Sequence, residues 1–173
     1  MLFRSGLQFN DYTPAQIEGA IGTVLGLDTQ LIRDQTYFIV EAISEVSPSE
    51  ESQSKRSKQR KLAGCGGWSY HKTLFGSDGA AVREPEKLDP EIDAAKVRAI
   101  FVHPTFARMG LGSLILNHVE QAAYAAGFRR YEMGSTLTGI PLYTLKGYVP
   151  IERVEVPLKN GESLPIVKMI KSV

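Results

Sequence analysis

The stretch "FVHPTFARMGLGSLIL", residues 101–116, decides how the chain is read. A hydrophobic run ends at a proline. A basic residue follows, then two glycines one residue apart, then Leu111, Leu114, Ile115 and Val119 at helical spacing. The pattern predicts a strand handing over to an amphipathic helix. A helix start leaves backbone N–H groups unpaired and carries the positive end of the dipole. Glycines there let an anionic group approach the backbone without meeting a Cβ. Arg108 stands in the same turn and could pair with phosphate oxygens. "ARMGLGS" therefore reads either as a tight turn or as a cradle for a pyrophosphate. A nucleoside-triphosphate loop would need lysine and then Ser or Thr after its second glycine, and Gly112 is followed by Ser113 and Leu114. A dinucleotide fingerprint would need a third small residue where Ile115 stands.

Working outward, "AAKVRAIFV" (residues 94–102) is the most continuous apolar strand. Ala122, Ala123 and Ala126 continue the face of the helix behind the glycines, and Gly127 supplies its stop. "RRYEMGS" is a further strand, "TGIPLYTLKG" a short helix ended by Gly147, and "YVPIERVEVPL" and "SLPIVKMIK" a last strand pair joined at "KNG". On the other side, "TPAQIEGAIGTVLG" opens with Thr13 as N-cap and Pro14 at the first helical position. Ile17, Ile21, Val24 and Leu25 share its apolar face. Asp28 is placed to cap a second short helix reaching Arg33. "TYFIVEAI" (36–43) and "KLAGCGGWSY" (61–70) read as a hairpin, the second strand weakened or bulged by its glycines. Between them residues 44–60 are rich in serine and charge and predict a mobile loop. "HKTLFGSDGAAVREPEKLDPEID" carries mixed turn signals and reads as a loop facing an active site. The order of elements gives an α/β fold with a mixed sheet, in one domain spanning residues 1–173.

Composition narrows the function. The chain has 173 residues, 43% of them hydrophobic, with 20 basic residues against 19 acidic and a net charge of +1. That balance gives no overall field to gather nucleic acid or a membrane. No apolar run is long enough to span a bilayer, and residues 1–16 have too little apolar length for a signal peptide. Cys65 is the single cysteine, so no internal disulfide forms and no cysteine-built zinc site is expected. The expectation is a cytoplasmic protein without a metal.

The strand–glycine–helix stretch and "STLTGIPLYTLKGYVP" (135–150), with a tyrosine on a short helix before a Gly-aromatic strand entry, together resemble the GNAT superfamily of acyl-CoA-dependent N-acyltransferases. The pyrophosphate signature there is Arg or Gln, two residues, Gly, one residue, then Gly or Ala. "FVHPTFARMGLG" fits it with one departure, since Ala107 holds the Arg/Gln position and the arginine is displaced to Arg108. The resemblance runs from Thr36 to the C-terminus and includes "GCGGWS"; it points to a bacterial-type subgroup of uncertain substrate. It implies a mostly antiparallel sheet with a central parallel strand pair that splays, flanked by helices. Too few residues precede Thr13 for the first strand and long helix usual in the family, so the expectation is either a missing first strand or a start at a misassigned codon.

The resemblance also implies a mechanism and its residues. Acetyl-CoA is the expected cosubstrate. Its pantetheine arm would lie along the strand 94–102 at Ile100 and Val102, and its pyrophosphate would reach Arg108, Met109, Gly110, Leu111, Gly112 and Ser113. A neutral primary amine, on a small molecule or a protein, would attack the thioester directly, with Tyr143 donating a proton to the leaving thiolate. The residues leave Tyr143 open to a second reading as a packed aromatic. Trp68, Tyr70 and His71 are candidates to line the acceptor pocket, with core packing an equal alternative for Trp68. Glu41, Glu91, Asp93 and His71 are candidate bases, and each also reads as an ordinary loop or surface group. His103 reads as a turn-positioning residue, His118 as exposed or packed, and Cys65 as a small buried apolar residue. An exposed C-terminal strand could pair with a second copy to form a homodimer. The competing class is a CoA-binding sensor or interaction module without catalysis.

Overall fold

In the computed structural model the described residues are 11–46, 57–80 and 83–173. Thr13 caps α1 (Pro14–Ala20) through a reciprocal box: its hydroxyl accepts the Gln16 N–H and the Gln16 side chain accepts the Thr13 N–H. The helix is shorter than its apolar pattern suggests. Gly22 takes φ +78°, the chain turns, and Ile21 is left exposed while Val24 and Leu25 go to a loop wall. Asp28 caps α2 (Thr29–Arg33) by accepting the Gln30 N–H at 3.1 Å.

β1 (Tyr37–Val46) and β2 (Ser57–Ser69) form the expected hairpin, and its ladder extends into the polar segment: Ser44 pairs with Gln59 and Val46 with Ser57. Residues 44–46 and 57–60 are therefore strand rather than loop, because backbone pairing with a register already set continues through polar residues. The rest of the expected mobile loop, residues 47–56, lies outside the described residues.

β3 (Ala95–Val102), α3 (Leu111–Ala125), β4 (Arg130–Thr136), α4 (Ile140–Leu145), β5 (Val149–Pro157) and β6 (Ser163–Ser172) complete the chain. The six strands lie in the order β1-β2-β3-β4-β6-β5, and β3–β4 is the parallel pair. The fold is thus mixed α/β, mostly antiparallel, with a central parallel pair flanked by helices. Among the described residues no strand precedes β1. A further expectation is corrected. β6 is not exposed but sits between β4 and β5, paired from Arg130↔Ser172 to Thr136↔Ile166, so the edge belongs to β5.

Two clusters cover the two faces. On one, α3 lays Ile115, Leu116, Val119 and Ala123 against Trp68, Val97, Phe128 and Tyr131. Gly66 permits that approach, since a Cβ there would come 2.5 Å from Ile115 Cγ2. On the other, Tyr12, Ile17 and Ala20 pack against Leu158, Leu164 and Ile166 of the β5–β6 hairpin. Among the described residues no helix is long and apolar enough to cross a membrane.

Candidate functional site

The site begins with a bulge. Cys65 faces Phe101, but Gly67 faces Arg98, so two steps on β2 meet three on β3. The extra residue is accommodated where Ala99 takes φ +54°. A left-handed alanine costs about 1–2 kcal/mol, so the surrounding structure must hold it there. A bulge bends its strand. β3 and β4 pair at Ala95↔Tyr131 and Lys96↔Glu132, and beyond that point β4 offers β3 no ladder partner. The strands run on to Val102 and Thr136, leaving a gap between them. Val97 to Phe101 and Met133 to Thr136 line it, with Val24 to Gly26 and Leu74 to Gly76 as walls. The loop that the sequence expects to face an active site comes to this gap through Leu74, Phe75 and Gly76.

The strand ends in the glycine turn. His103 Nδ1 accepts the Thr105 N–H at 3.2 Å and sets a 3-10 turn over Pro104–Phe106. Arg108 takes φ +61° and Gly110 φ +81°. Gly110 is the N-cap of α3 and has no side chain to cap with. None of the backbone N–H groups of residues 108–113 donates to a protein group among the described residues. Arg108, Met109 and Gly110 are exposed, while Gly112 abuts α4: a Cβ built on it would stand 2.9 Å from Leu142 Cδ2 and 4.0 Å from Val102 Cγ2. Ile100 lines the gap and Val102 closes the strand beside Gly112. A row of unpartnered amides at the positive end of a 15-residue helix fits a diphosphate. An unladdered strand edge fits a chain that carries amides. The residues present therefore fit the acyl-CoA that the sequence resemblance implies.

Tyr143 of α4 is buried and lines the same gap. Its ring lies over Gly139, where a Cβ would come 2.7 Å from Tyr143 Cε2, and meets Tyr148 edge-on at 5.9 Å. Its hydroxyl makes no hydrogen bond among the described residues. Burial pushes the phenol up to about 12, so it holds its proton at neutral pH.

The other candidates lie elsewhere. Trp68 packs in the core, 5.8 Å from the Phe128 ring. Tyr70 and His71 gather on Asp34: His71 Nδ1 is 3.3 Å from its carboxylate, and burial together with a hydrogen bond to that carboxylate raises the Tyr70 phenol. None of the three lines the gap. Glu41 pairs with Arg60 on the outer hairpin, and Asp93 accepts the Asp89 N–H in the turn that also holds Glu91. These four possible bases, His71 included, are not brought to the gap. His118 is exposed and stacks edge-on with Phe38. Cys65 is buried, Tyr37 Oη donates to its sulfur at 3.1 Å, and burial raises the thiol.

Sequence reading missed the charges on the face opposite α3. Arg98 is 5% exposed and lines the gap, with Nη2 2.9 Å from Asp28 Oδ2 and donating to the Gly76 carbonyl. Burial pulls this guanidinium down from its usual value, and Asp28 opposes the shift. Where the β3–β4 ladder ends, Glu132 accepts both Lys96 and Lys168. Burial pushes the Glu132 carboxyl up, but the two lysines outweigh it and hold it below the usual range. The available signal was a single arginine inside "KVRAIFV", an otherwise apolar strand.

Comparison with known proteins agrees with this architecture. The profile of the family described as Acetyltransferase (GNAT) matches residues 35–148. A GCN5-related N-acetyltransferase structure from Rhodopseudomonas palustris superposes with TM-score 0.56 at 16% identity, covering 97% of this chain and 81% of that one. A ribosomal-protein-alanine N-acetyltransferase from Brucella melitensis gives 0.53 at 14% identity, covering 84% and 74%. Rv2747 from Mycobacterium tuberculosis, solved in complex with CoA and NLQ, gives 0.51 at 14% identity, covering 100% and 99%. At these identities the likeness is one of fold. Curated protein sequences gave no match. The profile spans well over half of the chain, from the first strand through Tyr143 to Tyr148, and on that ground the chain belongs to the acetyltransferase (GNAT) family.

Proposed function

We propose that residues 1–173 act as one domain that transfers an acetyl group from acetyl-CoA to a primary amine by direct attack. The observation that carries this reading is the parting of β3 from β4 beside six unpartnered amides at the start of α3. Residues 108–113 would hold the pyrophosphate and the edge of β3 at Ile100 and Val102 the pantetheine arm. The thioester supplies an acyl carbon open to a neutral amine and a thiolate as leaving group. Tyr143 lines the gap with a free, protonated hydroxyl, so it can donate to a departing sulfur and regain its proton from solvent. Among the described residues no carboxylate or imidazole lines the gap, so the proton lost by the amine passes to solvent rather than to a fixed base.

The test is release of free thiol from acetyl-CoA across a panel of primary amines, alongside melting with and without CoA. Amine-dependent release is expected, together with a rise in melting temperature that grows with CoA concentration. Stabilisation by CoA with no turnover on any amine would favour a sensor instead. The absence of both would remove CoA from the account.

A further inference from the structure

The gap has a polar wall whose chemistry points to the acceptor. Arg98 is almost fully buried, and only its Nη2 is engaged, by Asp28 and the Gly76 carbonyl. Nε and Nη1 make no hydrogen bond among the described residues, although a guanidinium presents five N–H donors in a fork. Neither atom is sealed from solvent, so both stay open to an acceptor that enters the gap, and a largely buried guanidinium gains from an ionised partner. Gly76, which holds the guanidinium, lines the gap with it.

The local charge also leaves room for an anion. Asp28 is divided between two guanidiniums: Oδ2 faces Arg98, while Oδ1 takes Arg83 Nη2 at 3.0 Å and the Gln30 N–H. Asp78 answers Arg83 only at 3.9 Å and from an exposed position. On the same sheet face, Lys96 and Lys168 share the one carboxylate of Glu132. No Asp or Glu lines the gap among the described residues. An acceptor bearing a second cation would find nothing to pair with there. A carboxylate would find a pre-oriented fork, the geometry that guanidinium and carboxylate share.

We infer that the acceptor amine carries a carboxylate, as an amino acid does, and that Arg98 receives it. This rests on the transferase reading for the identity of the gap, so the test separates the two. α-Amino acids, β-alanine and 4-aminobutyrate are each compared with their amides, as acceptors in thiol release and as ligands of the CoA-saturated protein in calorimetry. The expected result is that at least one acid exceeds its amide tenfold or more in kcat/KM. That preference should fall toward unity in Arg98→Lys, which keeps a cation against Asp28 but loses the fork. If Arg98→Lys does not fold, the wild-type ratio decides alone. Amides that match or exceed their acids throughout overturn the proposal. If no amine is acetylated, the transferase reading fails by itself and calorimetry decides: acids binding tenfold tighter than amides uphold the carboxylate site, and equal or absent binding overturns it.

Discussion

The two ends of the β3–β4 pair are built on opposite terms. At the start, Ala95 and Lys96 are zipped to Tyr131 and Glu132, and Glu132 is gripped by two lysines. A few residues on, the ladder stops, Ala99 sits in a left-handed conformation, and the following turn presents amides with no protein partner. Buried backbone groups are normally paired. A strand pair that is sealed at one end and open at the other therefore shows where the fold stores its rigidity and where it keeps capacity for a ligand. The sealed end sets the distance between the strands, and the bulge turns that distance into an opening.

The comparison can be broken at either end. The largest effect is expected at the sealed one. Glu132→Ala leaves Lys96 and Lys168 side by side without their carboxylate and should cost about 3 kcal/mol, read as a lowered denaturant midpoint. Equal stability would mean that the lysines reach water and the clamp is not a clamp. At the open end, Tyr143→Phe removes the hydroxyl but not the ring. Turnover should fall about a hundredfold, with CoA affinity retained. The pH profile sharpens this. With the phenol raised to about 12, the wild-type rate should show no descending limb through pH 10, where an ordinary tyrosine would begin to ionise. The sign for stability follows from the same shift. Tyr143 is neutral in both states below pH 10, and as pH rises toward 12 the unfolded chain ionises first, so stability is lost across that window. Melts of wild type should steepen there more than melts of Tyr143→Phe.

Smaller changes probe the turn. Gly112→Ala puts a methyl 2.9 Å from Leu142 Cδ2, so that leucine side chain must turn aside next to the amides, and CoA should bind about threefold more weakly in calorimetry. Gly110→Ala meets no neighbour within 4 Å but inherits φ +81°. It should cost about 1 kcal/mol of stability, read from the melt. A larger loss would mean that the turn is more strained than its angles suggest.

Much of this was legible in the residues. The helix starts at Thr13 and Asp28, the stops at Gly127 and Gly147, and the glycine turn follow from local chemistry that acts within a few residues. The parallel pair came from family resemblance. What could not be read depends on register. Strand alternation puts Trp68 and Tyr70 on one face and His71 on the other, but does not say which face meets the gap, and all three turned elsewhere. The Ala99 bulge hides in a continuous apolar run, because one extra residue leaves no mark on composition. The partners of Arg98 come from residues 28 and 76, two loops far apart in the chain, so nothing local to the strand marks the arginine as buried. Strand order was degenerate too, since a terminal hairpin can dock by either member, and here β6 took the inner place.

Cys65 has a practical meaning for whoever assays this chain. It is the sole cysteine, it lies sealed within β2, and the hydroxyl of Tyr37 rests on its sulfur. A chromogenic disulfide dye would leave the folded protein unlabelled, so colour in a reaction mixture would report liberated coenzyme alone. Dye uptake by the protein would instead serve as a stopwatch for local opening of the hairpin.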